Sequence, residues 1–233
     1  MGNNSMSKTT IKWSWRDVFK LLFLTFVVVP LFIEYLLHDL LYTLFQDSLY
    51  SGTMTGLIMA IVFMTSLYFI ALKPHGLSWN TVGVNRFSNG YWKWIVVWLI
   101  VLIVVSVMIL TLMDILNVSW ENEKTESLLR NKAWHTILIG FVSAAIISPI
   151  YEEIFYRGFL YKWFRVKWGV AAGMFVSSFI FMIVHIPTYN TLTVNFVSGL
   201  VFAWTYEKTG SVLPAIIIHG TFNGIALILT VFT

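Results

Sequence analysis

Six side chains in the second half of this 233-residue chain are of types that move protons or hold developing charge: Glu152, Glu153, Arg157, His185, His219 and Asn223. Carboxylates and imidazoles serve as general bases, and Asn and His N–H groups can donate to an oxyanion. Glu153 and Arg157 are four residues apart, so on a helix they share a face and pair. Glu152 lies about 100° around the same helix. One arginine therefore does not serve both carboxylates as a close partner, and Glu152 is left pointing at something else. His219 and Asn223, in HGTFNG, are again four apart, and Gly220, Thr221 and Gly224 beside them let another backbone approach. His185, in FMIVHIP, follows Phe181 by four and stands just before a proline. The plain alternative is a polar network that only locks helices together, with His185 as a hydrogen-bonded packing residue.

These groups sit in a chain that is 58% hydrophobic and 11% charged, with a mean hydropathy of +0.78. A soluble domain carries about 25% charged residues, so the surface of this one must itself be apolar. The reading is an all-α, polytopic transmembrane helix bundle forming a single integral membrane domain over 1–233. Apolar runs place spans at 18–37, 54–72, 91–113, 134–156, 169–187, 191–206 and 211–231, about seven in all. The segment 38–50 (HDLLYTLFQDSLY) reads as amphipathic and interfacial. No cleavable signal is evident, and the net charge of +4 is a loop distribution rather than a nucleic-acid footprint. There is no cysteine.

Basic residues orient the spans. With the N-terminus inside, the cytoplasmic face holds Lys8, Lys12, Arg16, Lys20, Lys73, Arg86, Lys93, Lys162, Arg165, Lys167 and Lys208. The outer face holds only Lys124, Arg130 and Lys132, in the polar 114–133 loop. Residues 1–17 are then a basic cytoplasmic N-terminus, and seven spans put the C-terminus outside the cell membrane. Trp13, Trp15, Trp92, Trp94, Trp163 and Trp168 fall near span ends, as interfacial anchors do.

A charge at mid-bilayer costs about 2.5–3.5 kcal/mol on insertion scales, so such residues persist when they pair, line a wet cavity or perform a task. Pro149 can kink its helix and open room for water. Depths disagree, however. At about 1.5 Å per residue, Glu152 and His219 fall about 7 and 3 Å to the inner side of their span middles, and His185 about 10 Å to the outer side. Either its helix is displaced inward, with the 187–195 turn buried in protein, or the span limits differ.

EEIFYR, FMIVH and HGTFN follow one another on successive apolar helices, and YEKTGSVLPAIIIH leads into the last. In that order they resemble the three motifs of the CAAX protease and bacteriocin-processing (CPBP, or Abi) family of intramembrane endopeptidases, over a catalytic core at 134–231. The resemblance implies that Glu152 activates the attacking water, with His185 helping to position or deprotonate it. It implies that His219 and Asn223 stabilise the oxyanion, that Glu153 and Arg157 organise the site, and that Phe181 packs its wall. It leaves the cofactor open: either none, or Zn2+ on Glu152, His185 and His219. No H-E-x-x-H is present to set two ligands on one turn.

The implied partners are the lipid bilayer and a peptide or membrane-protein substrate cut near the cytoplasmic face, with a bacteriocin or toxin in the setting of maturation or self-immunity. A second reading is a non-catalytic immunity or binding protein, or a small transporter using the same residues as a proton relay. Against transport, no inverted repeat or matched pair of Gly/Pro-broken helices is present.

Overall fold

The structure is a computed structural model that describes residues 11–117 and 134–232. Among these residues all regular structure is helical, in seven helices: α1 Trp15–Phe45, α2 Ser48–His75, α3 Asn89–Ile115, α4 Trp134–Trp168, α5 Val170–Ile183, α6 Leu192–Thr209 and α7 Leu213–Phe232. The helices begin and end where local chemistry requires. Ser14 caps α1 and exchanges hydrogen bonds with Asp17 in a capping box. Gln46 turns left-handed after α1, and Asp47 at once caps α2 through the Leu49 and Tyr50 amides. Segment 38–50 is therefore no separate interfacial element: residues up to Phe45 continue α1, and Ser48 already belongs to α2.

Five helices, α1 to α4 and α7, are long and apolar enough to cross a membrane. The chain is thus a multi-pass membrane protein with an all-α bundle. The other two expected spans are shorter. Helix α5 has 14 residues, about 21 Å at 1.5 Å each, against a hydrocarbon core of about 30 Å. Helix α6 has 18 residues and carries Glu207 and Lys208 in its last turn. The expected end of the fourth span at 156 is also corrected, since α4 runs on to Trp168. It does so with wider, π-type turns at Val142–Ile147 and Glu153–Tyr161. Such turns absorb the missing N–H of Pro149, so the proline leaves the helix continuous.

One end of the bundle gathers most of the residues that were expected to face the cytoplasm. The Trp13 indole donates to the Ala71 carbonyl at 2.8 Å, and Trp15 packs edge-on against Trp163 at 4.2 Å. Segment 77–88, between α2 and α3, docks here on the second half of the chain. Lys162 donates to the Thr81 carbonyl, Ser211 to the Asn85 carbonyl, and the Val212 amide to the Gly83 carbonyl. Gly158 is required where the Val82 carbonyl crosses α4, since a β-carbon there would meet it. Arg165 grips Glu207 through both Nε and Nη2, and Tyr161 donates to the same carboxylate, locking α4 to α6. Lys8 and residues 118–133 lie outside the described residues.

The tryptophans divide. Trp15, Trp92, Trp94 and Trp168 are exposed, as anchors must be, but Trp13 and Trp163 are buried core residues. The core is aromatic and centres on α4, with Phe155, Phe159, Tyr161 and Trp163 sealed against α1, α2 and α5.

Helices α4 and α7 meet through glycines. A β-carbon at Gly220 would run into the Ala145 carbonyl, and one at Gly224 into Phe141. Gly220→Ala is therefore expected to destabilise by about 1–3 kcal/mol, as overpacking does. Gly52→Ala, where nothing stands within 4 Å, should be neutral or mildly stabilising. Thermal melts of both variants in one detergent check this, and equal midpoints would refute the close contact.

Candidate functional site

The site grows outward from Glu153, which is fully buried on α4. Its Oε1 accepts from Arg157 Nη1 at 2.9 Å, one turn along the same helix. The same oxygen lies 2.8 Å from Nδ1 of His219 on α7. An ionised carboxylate only accepts, so Nδ1 carries the proton in this contact. That fixes the ring and turns Nε2 toward Glu152, whose Oε2 is 3.8 Å away. The expected Glu153–Arg157 pair is present, and the carboxylate also does a second task that the sequence reading gave to neither glutamate: it orients His219.

The two glutamates differ in access. The Glu153 side chain is 0% exposed and that of Glu152 is 12% exposed, so Glu153 is sealed in the bundle and Glu152 is partly open. Aromatic rings hold the remaining parts. Phe202 on α6 lies nearly parallel to the His219 ring, with centroids 4.7 Å apart and planes at 19°. The Arg157 guanidinium stands 4.3 Å from the Phe181 ring and 5.0 Å from that of Phe202, where a desolvated cation on two faces is held firmly. Phe181 also meets His185 edge-on at 4.8 Å and His219 at 5.9 Å.

His185 thus comes to the wall of the site. Its Nδ1 donates to the Phe181 carbonyl at 2.6 Å, which closes the last turn of α5. Of the two accounts of its depth, burial of the 187–195 turn is not found, since Pro187, Tyr189 and Thr193 are exposed, and the span limits are what differ. Asn223, one turn beyond His219, donates through Nδ2 to the Ala144 carbonyl of α4 at 3.0 Å. Phe202 was missed by sequence reasoning, since nothing distinguishes it among 19 phenylalanines.

Zinc binding can be tested on the donors. Among the described residues no group of three His, Cys, Asp or Glu is placed to hold a metal ion. His219 Nδ1 is engaged by Glu153 and His185 Nδ1 by a carbonyl, which leaves Nε2 of each ring as the nitrogen a metal would take. Glu152, His185 and His219 are not grouped as a three-ligand zinc site in this arrangement.

A multi-pass helix bundle that buries a Glu–Arg pair, orients a histidine with it and leaves a second glutamate partly open defines a membrane protein with an enzyme-like polar centre. Residues 133–225 match the family model of the type II CAAX prenyl endopeptidase Rce1-like proteins. The resemblance to the CPBP family of CAAX-type intramembrane proteases is borne out over that stretch, which contains every site residue. The chain is also 23% identical over 175 residues to the UPF0177 protein YbdI of Lactococcus lactis, covering 73% of this chain and 92% of that one. An uncharacterized 24.3 kDa protein of Escherichia coli is 26% identical over 96 residues, covering 40% of this chain and 44% of that one. No solved structure matches.

Proposed function

We propose that the chain is an intramembrane endopeptidase in which Glu152 is the general base. The observation that carries this reading is the Glu153–His219–Glu152 arrangement, a buried carboxylate holding an imidazole toward an accessible one. A separation of 3.8 Å is beyond a direct hydrogen bond and within reach of one shared water. Glu152 takes a proton from that water as its oxygen attacks the scissile carbonyl carbon. With Nε2 protonated as well as Nδ1, His219 meets the charge that develops on the carbonyl oxygen, joined by the second amide N–H of Asn223, whose first is anchored on Ala144. His185 helps to position the water. The proton held by Glu152 then passes to the leaving amine as the C–N bond breaks. In this account Glu153 and Arg157 position, and Phe181 and Phe202 wall the site.

The substrate class is a peptide or membrane-protein segment entering near the cytoplasmic face. Bacteriocin maturation or self-immunity as the setting rests on the family resemblance alone. The N-terminus is proposed to be cytoplasmic, on the basic residues gathered at one end of the bundle. Helices α5 and α6 form a hairpin that returns to the side it left, whether or not it crosses. The five longer helices then set the parity, and the C-terminus is outside.

The test is cleavage of membrane-anchored peptides by the purified chain in liposomes, read as new termini by mass spectrometry. Wild type is expected to cut and Glu152→Gln to cut about 10^2–10^4-fold more slowly. A protein that cuts nothing, yet protects cells from a toxin equally well as wild type and as Glu152→Gln, is a binding protein.

A further inference from the structure

Hydroxyls on these helices have a ready partner one turn back. Thr25, Thr55, Thr65, Thr111 and Thr209 each donate to the carbonyl four residues earlier, the common arrangement in membrane helices. Ser178 on α5 and Ser198 on α6 do not. Both are buried, and neither hydroxyl has a hydrogen-bond partner among the described residues.

The two serines lie at one level of the bundle. A β-carbon built on Gly199 would come within 2.8 Å of the Ser178 side chain, so α5 and α6 touch there. The helices run in opposite directions from their shared turn. Phe181, three residues after Ser178, therefore lies about 5 Å nearer the turn, and Phe202, four after Ser198, about 6 Å farther from it. The Arg157 guanidinium touches both rings, which places it between them, level with the serines. Arg157 Nε and Nη2 and Glu153 Oε2 are likewise buried without a protein partner among the described residues.

Five unpartnered polar atoms of both donor and acceptor type thus fall at one level of the bundle behind the Glu152–His219 pair. Buried polar groups are satisfied by protein or by water, and an internal water takes about two to four such partners. We propose that Glu153 Oε2, Arg157 Nε and Nη2, Ser178 Oγ and Ser198 Oγ form an internal water site that supplies hydrolysis within the membrane. This rests on the endopeptidase reading, because each cleaved bond consumes one water: its oxygen goes to the carbonyl carbon and a hydrogen to the leaving nitrogen. The reserve adjoins the reaction centre, since Phe202 touches both Arg157 and the His219 ring.

Radiolytic hydroxyl-radical labelling of the full chain in liposomes tests the site directly, because the radicals arise from water where it lies. Phe202 and Phe181, 0% and 1% exposed, are expected to be labelled. Phe155 and Phe159, equally buried but away from the Arg157 guanidinium that stands on Phe181 and Phe202, are expected to stay unlabelled. Ser178→Ala with Ser198→Ala should cut labelling of Phe202 several-fold and lower kcat roughly tenfold at unchanged KM. Ser198→Ala alone provides the same readouts if the double variant does not fold. Unlabelled Phe202 in the wild type overturns the water site. Labelling that responds to the serines while kcat does not overturns its role as a supply. Glu152→Gln separates the two ideas: it should be labelled as wild type and cleave about 10^2–10^4-fold more slowly, whereas a wild-type chain that is labelled yet cleaves nothing would defeat the endopeptidase reading while leaving the labelling result standing.

Discussion

Glu152→Gln is expected to lower kcat by about 10^2–10^4, the range general-base catalysis contributes, while leaving the thermal midpoint near that of the wild type. Glutamine matches glutamate in volume and keeps an oxygen toward His219, but its amide does not accept a proton from water. The fold should tolerate the exchange because Glu152 is partly exposed and its nearest ionic contact is at 3.8 Å. No tight buried pair is broken. Glu152→Asp is the companion variant. It keeps the charge and withdraws it by about one bond length, and a misplacement of about 1 Å alone can cost about 10^2-fold. Aspartate should therefore fall between wild type and glutamine. Cleavage progress curves in liposomes, beside melts of the same preparations, give both quantities. Full activity in a folded Glu152→Gln protein would remove this residue from the reaction.

Much of this site was legible because charges are rare in an apolar chain. Glu152, Glu153, Arg157 and His219 stand out by type, and helical spacing alone pairs Glu153 with Arg157. What spacing does not carry is the partner across the bundle. That His219 donates its hydrogen bond to Glu153, rather than facing Glu152 alone, depends on how α7 is rotated against α4. That rotation is set by Gly220 and Gly224 lying against Ala145 and Phe141. The depth of His185 was misjudged for a simpler reason. A fourth span ending at 156, just before Arg157, is too short, because the helix runs to Trp168 and turns directly into α5. Glu153 lies fifteen residues before that turn and His185 fifteen after Val170, so both stand about 22 Å from it. Phe202 illustrates the limit from the other side. It is one aromatic among many on an apolar helix, and only packing reveals that it covers His219 and Arg157 together.

Arg157→Ala should destabilise the protein by about 3–5 kcal/mol, the cost of leaving one member of a buried ion pair without the other. Glu153 is fully buried and has His219 as its remaining contact. The variant also loses the guanidinium stacked on Phe181 and Phe202. That result alone would not tell a structural lock from a positioning device, because an unfolded enzyme is also inactive. The double variant Glu153→Leu with Arg157→Met separates them. Replacing a buried pair by apolar residues of similar volume is often neutral or stabilising, so its melting midpoint should recover most of the loss, short of wild type by the about 1–3 kcal/mol that the buried His219 N–H costs without its acceptor. Its kcat should not return. His219 Nδ1 has then lost its acceptor, the ring no longer holds Nε2 toward Glu152, and a drop of about 10^2-fold is expected from misorientation. Thermal melts and kcat on the wild type and both variants decide the matter. If the double variant regains both stability and rate, Glu153 and Arg157 only hold helices together, and His219 is placed by α7 and Phe202 without them. If stability returns and rate does not, the carboxylate that looked like a mere partner for arginine is the group that aims the histidine.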